Sequence, residues 1–247
     1  MGPILEVMAT IVPAILPTSR QDLDEKLARL VGIASEVQVD VVDGIFASPA
    51  SWPYAIGTHE LGHEIAAEES FLYTDNYRVE MDLMVREPES VIGSWIEAGA
   101  TRVLVHVEST EDLSQLIANF STTYGHQKGF AMDLLSLGLA LNIATDASVL
   151  DPYIDMIDYV QFMGIKDIGK QGQPFATEVL NRIAVFRKRH PETPIQVDGG
   201  VNFESAPLLA RAGVSRLVVG SALWKSANLK AAYEQLVALA EPKGLYE

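Results

Sequence analysis

The sequence has 247 residues, 48% of them hydrophobic, with a formal net charge of −15 and no cysteine. The acidic balance argues against a nucleic-acid partner and against docking on an anionic membrane. The missing cysteines exclude disulfides, thiolate metal sites and a thiol nucleophile. No apolar run reaches the ~18 residues of a membrane span, and the first 20 residues lack the basic start of a secretory signal. A cytoplasmic enzyme is the expectation.

Residues 9–16 read as a first strand, with Pro13 needing a ladder position that uses no N–H. Ser19 can cap the next helix, whose Leu23, Leu27, Leu30 and Val31 recur at helical spacing. Residues 37–43 form a second strand. Its alternation sets Gln38, Asp40 and Val42 on one side and Val39, Val41 and Asp43 on the other. The segment 45–58 is long for a strand-to-helix loop and reads either as a lid or as a surface insertion. Residues 59–70 have helical character. His59 and His63 stand four apart there, but without a His-Glu-x-x-His pattern they read as a solvated face rather than a metal pair.

Residues 77–85 are a third strand with Asp82 near its end, followed by a helix that starts at Pro88 and closes at Gly99. Residues 102–108 are a fourth strand ending in His106 and Glu108, and Thr110 can cap a helix over 111–120. A fifth strand, 137–143, ends at Asn142, with a short helix from 147 towards 153. A sixth, 159–164, exits through a loop holding Lys166, Gly169, Lys170 and Gly172, and a helix spans 176–190. Residues 195–200 and 217–221 are short apolar runs that stop in glycine, as buried parallel strands do. Helical patterns at 204–212 and 228–240 follow them.

Eight strands alternating with eight helix-like segments predict an α/β fold, a single (β/α)8 TIM barrel over residues 1–247. The competing open sheet lacks its Gly-x-Gly-x-x-Gly fingerprint after the first strand. In a barrel, catalytic groups project from the C-terminal strand ends. Those ends offer Asp40, Asp43, Asp82, His106, Glu108, Asn142, Lys166 and Asp198. Strands two and seven face each other across a barrel, so Asp40 and Asp198 can reach a substrate carbon from opposite faces. One acting as base and the other as acid would invert a centre beside a carbonyl. The bland reading is that such aspartates cap helices or tie down loops. Gly199, Gly200, Gly220 and Ser221 sit where a barrel builds a phosphate cradle. Two other functions fit the same ends: a Schiff-base lyase using Lys166, and a sugar-phosphate binder without chemistry.

Several stretches resemble the ribulose-phosphate 3-epimerase family: 39–44 (VDVVDG), 83–85 with 87–89, 106–108 (HVE), 141–145, 197–202 (VDGGVN) and 220–222 (GSA). They keep order and spacing from Pro13 to the last helix. The resemblance implies a ribulose-phosphate-binding barrel that interconverts ribulose 5-phosphate and xylulose 5-phosphate at C3. It implies that Asp40 and Asp198 serve as base and acid, that both ligate a divalent metal, and that the chain self-associates. Gly169 and Gly172 stand in its altered substrate loop. The departures concentrate at the site. Gln38 and Asp82 stand where the family has histidines, and Ala14 where it has serine. The remaining set, Gln38, Asp40, Asp82 and Asp198, is all oxygen and suits Mg²⁺ or Mn²⁺ better than Zn²⁺. Three crowded carboxylates sharing protons without any metal is the alternative.

Overall fold

The computed structural model describes residues 8–56, 75–132 and 134–241. Eight parallel strands close into a barrel in sequence order, β1 pairing with β8. They are β1 (Thr10–Ile15), β2 (Glu36–Val42), β3 (Arg78–Met84), β4 (Arg102–His106), β5 (Ser136–Leu141), β6 (Tyr159–Met163), β7 (Ile195–Asp198) and β8 (Arg216–Val219). Among the described residues the helices are α1 (Arg20–Leu30), α2 (Ile92–Glu97), α3 (Leu113–Tyr124), α4 (Glu178–Arg189), α5 (Ala206–Arg211), α6 (Ser221–Trp224) and α7 (Leu229–Ala240). The helix expected over 59–70, with His59 and His63, lies outside the described residues. No described helix is long and apolar enough to cross a membrane.

The strands carry an inverted two-residue pattern. Outward positions such as Val39, Val41, Val103, Val105, Val160 and Phe162 are apolar and pack under the helices in the main core. Inward positions are largely polar: Gln38 and Asp40, Glu80 and Asp82, Arg102 and His106, Gln161, Gln196 and Asp198, and Arg216. In-register pairing stacks them into layers, Gln38 beside Glu80 and Asp40 beside Asp82, then Gln161 beside Gln196 and Met163 beside Asp198. Tyr159 fills the barrel at the β5 side. Gly138 is required there, because a Cβ at that position would lie 2.3 Å from the Tyr159 ring.

Local chemistry sets the ends. Ser19 accepts from the Asp22 N–H at 3.1 Å and starts α1. Asn228 accepts from the Ala231 N–H at 3.0 Å and starts α7. The helix expected from residue 111 begins at Leu113 instead. Asp112, not Thr110, is its cap, accepting from the Gln115 N–H at 2.9 Å. A carboxylate outcompetes a hydroxyl here because it also answers the positive helix start. The expected helix at 147–153 is a 3₁₀ turn containing Pro152. β7 stops at Asp198, and Gly199 and Gly200 leave it with positive φ.

Candidate active site

Asp40, Asp82 and Asp198 meet at the C-terminal mouth of the barrel. One carboxylate oxygen from each lies within 4.8 Å of the others. Each is almost fully buried, with exposures of 5%, 0% and 9%. Burial pushes the Asp40 carboxyl well above the usual range, and the Asp198 and Asp82 charges add to it, against a hydrogen bond from Gln38. Burial and then the Asp82 charge push Asp198 up to about 7, against a backbone N–H from Gly199. Like charges in a poorly solvated pocket disfavour one another's ionisation.

Donors surround the trio. Gln38 Nε2 donates to Asp40 Oδ1 at 2.8 Å, and Gln161 Nε2 donates to Asp82 Oδ2 at 3.0 Å. His106 Nε2 stands 3.1 Å from Asp82 Oδ1. Burial works against a charged imidazole, but Asp82, Glu108 and Asp198 overcome it and His106 is raised. Gln38, expected among the metal-binding oxygens, presents an N–H to the site instead. Its oxygen is turned away and accepts from Gln196.

The cavity above this cluster is lined by Asp40 and Asp198 together with Gly169, Gly172, Gly199, Gly200, Gly220 and Ser221, whereas Asp82 is fully buried behind them and does not line it. Sequence reasoning about strand ends thus assembled one cavity from four separate loops. It missed Gln171, whose amide lies 2.7 Å from where a Gly220 Cβ would stand. It missed the apolar side as well, Leu16, Met84 and Met163. Gln173 clips the β6 exit loop together by donating to the carbonyls of Asp167 and Lys170.

Other strand-end candidates serve structure. Asp43 accepts from the N–H groups of Ile45, Phe46 and Arg86, at 2.7, 2.8 and 2.8 Å. Glu108 ties down the β5 exit by accepting from Asn142 N and Thr145 Oγ1. Lys166 is exposed and does not line the cavity, so the lyase reading lacks the desolvated lysine it requires. Lys170 does line it. The segment after β2 is stapled down rather than free over its described part. Ser51 accepts from the Val42 N–H at 2.9 Å, Trp52 packs edge-on against Trp95, and the Phe46 ring centre lies 5.4 Å from that of His106.

Residues 10–224 match the model of the ribulose-phosphate 3-epimerase family. The chain belongs to that family. It is 30% identical over 219 residues to ribulose-phosphate 3-epimerase of Schizosaccharomyces pombe, covering 88% of each chain. It is 28% identical over 235 residues to the Bacillus subtilis enzyme of that name, covering 93% of this chain and 98% of the relative. As a member it is an isomerase of the carbohydrate-epimerase type. Among solved structures, a 3-hexulose-6-phosphate synthase shares the barrel at TM-score 0.64 and 18% identity, over 93% of this chain and 99% of that one. A 3-keto-L-gulonate-6-phosphate decarboxylase from Vibrio cholerae superposes at TM-score 0.63 and 13% identity, over 94% of this chain and 97% of that one. At those identities the likeness is one of fold.

Proposed function

We propose that this family member epimerises or isomerises a ketose phosphate, with Asp40 and Asp198 as its acid/base pair. What supports it most is that a carboxylate from β2 and one from β7, three strands apart around the barrel, share one cavity with the glycine cradle. The ionised aspartate takes the proton from C3, and its electron pair moves towards the C2 carbonyl to give an enediolate. The protonated partner then delivers its proton to the opposite face of C3. Each carboxyl ends in the other's starting state, so the roles exchange with direction. Two carboxyls raised by their surroundings are suited to holding one proton between them near neutral pH. The phosphate rests on the N–H groups around Gly200, Gly220 and Ser221, which tolerate an anion despite the acidic chain, while the Gly199 N–H stays with Asp198.

Asp40, Asp82 and Asp198 form an oxygen set that fits a hard divalent cation, Mg²⁺ or Mn²⁺ before Zn²⁺. Such a cation would neutralise charge developing on the enediolate oxygen. The test of the reading is deuterium uptake at C3 of a panel of ketose phosphates in D₂O, with the epimer identified by NMR. Exchange with inversion is expected. Phosphate-ester binding without exchange would make the protein a binder only.

The carboxyl shifts carry a stability prediction. An unfolded aspartate has released its proton by about pH 4, whereas native Asp198 keeps its proton until about 7. Between these values the native state binds more protons, so stability falls as pH rises. Asp40 and His106, both raised, act in the same direction. Metal-stripped protein should therefore melt lower at pH 8 than at pH 5.5, by on the order of 5 °C. Added Mg²⁺ or Mn²⁺ should flatten or reverse that slope, because a cation selects deprotonated ligands. A melting temperature flat across this range without metal would contradict the crowded-carboxylate account.

A further inference from the structure

Below the three carboxylates the barrel interior holds Gln38, Gln161 and Gln196, all fully buried, with Glu80 beside Gln38 and Arg216 beside Gln196 in register. The amide of a glutamine has a donor end and an acceptor end, whereas a guanidinium only donates. Arg216 Nε donates to Gln196 Oε1 at 2.5 Å. Arg216 is itself held by Glu36 and by Glu80, the latter at 3.2 Å. Gln196 therefore has its oxygen committed, and its Nε2 must face the barrel axis. There it meets Gln161 Oε1 at 2.6 Å, Gln38 Oε1 at 3.0 Å, and Glu80 Oε1. Two protons serve three acceptors, so one bond is shared. With both oxygens turned towards Gln196, the Nε2 groups of Gln38 and Gln161 point the other way, at Asp40 and Asp82.

We propose that Arg216 and Gln196 are positioning residues: a donor-only side chain at the barrel floor orients one amide, which orients two more, so that Asp40 and Asp82 both receive N–H groups. The opposite orientation would set two carbonyl oxygens against two carboxylates. As a device for stability alone, a buried arginine with two glutamates is poor, since apolar residues of similar volume do as well or better. As a device for direction it is well suited, because it cannot be turned around. The effect on turnover rests on the epimerase reading; the amide orientation does not.

The test reverses the relay at constant volume and charge. Gln196→Glu combined with Glu80→Gln still accepts from Arg216 but offers oxygen where Gln196 offered N–H. Gln38 and Gln161 should then turn over. Their side-chain ¹⁵N–¹H resonances, assigned in wild-type protein without substrate, should shift. The kcat should fall by ~10–100-fold, the usual cost of losing such supporting partners, with KM for the ketose phosphate unchanged. Gln196→Met, which cuts the relay without reversing it, should shift the same resonances with a smaller loss of kcat, and it decides by the same readouts if the double variant fails to fold. Unmoved Gln38 and Gln161 resonances, or wild-type kcat in the reversed pair, would overturn the proposal. Shifted resonances in a protein that exchanges no C3 proton would retain the relay and reject only the epimerase reading.

Discussion

Asp198→Asn and Asp40→Asn should each lower epimerisation by about 10²–10⁴-fold, the range that positioned acid–base groups contribute. Both side chains line the cavity, and an amide can neither take the C3 proton nor return one. The same substitutions should leave the fold intact and raise its melting temperature in metal-free protein. Each removes a charge from a trio whose oxygens lie within 4.8 Å of one another. In Asp198→Asn the amide oxygen can still accept the Gly199 N–H that the carboxylate accepts. In Asp40→Asn the amide oxygen can still accept from Gln38 Nε2. Loss of turnover with gain of stability is the expected signature of groups held together for chemistry against their mutual repulsion. The measurements are single-turnover C3 exchange and thermal melts on both variants. Near-wild-type exchange in both single variants would remove the aspartate pair from the mechanism.

The strand ends were legible in the sequence because a barrel brings every strand's C-terminus to one face. Asp40 and Asp198 follow from that rule, as do the glycines after β6, β7 and β8, whereas Asp82 stands out from the other strand ends only through the family resemblance. The layer beneath them carries no such end-of-strand signal. Gln161, Gln196, Glu80 and Arg216 each sit on the inward face of their strands, two residues before Met163, Asp198, Asp82 and Val218. The alternation that places Gln38 with Asp40 marks these residues too when it is extended along every strand. What alternation cannot give is direction. Gln38 is chemically able to ligate a metal through its oxygen. Only the amide chain running back to Arg216, assembled across strands far apart in sequence, turns that oxygen away from the site. One helix start also differs from the sequence reading. Thr110 and Asp112 are both good caps in isolation, and the carboxylate prevails because it also answers the positive helix start.

Gly200→Ala should be the most damaging small substitution at the cradle, and Gly32→Ala measures how much of that damage is local strain. Both glycines have positive φ, 70° and 73°. A side chain in that conformation costs about 1–2 kcal/mol wherever it occurs. A Cβ at Gly32 meets nothing within 4 Å, so this cost is all it incurs. A Cβ at Gly200 would stand 2.6 Å from Phe175 Cα and 2.8 Å from Phe175 N. That is backbone, and it cannot rotate aside. Phe175 precedes Ala176, whose N–H is bonded to the Gly164 carbonyl at 2.8 Å, so the exit of β6 must move as a unit. Overpacking of this kind adds about 1–3 kcal/mol. At roughly 2–4 °C per kcal/mol for a chain of this size, Gly200→Ala should melt several degrees below Gly32→Ala. The displaced loop carries Gly169 to Gln173 along one wall of the cavity. KM for the ketose phosphate should therefore rise in Gly200→Ala while Gly32→Ala keeps wild-type kinetics. Equal melting temperatures and equal KM in the two variants would mean that the β6 exit yields freely, and that the cradle is not the close-fitted anion site described here.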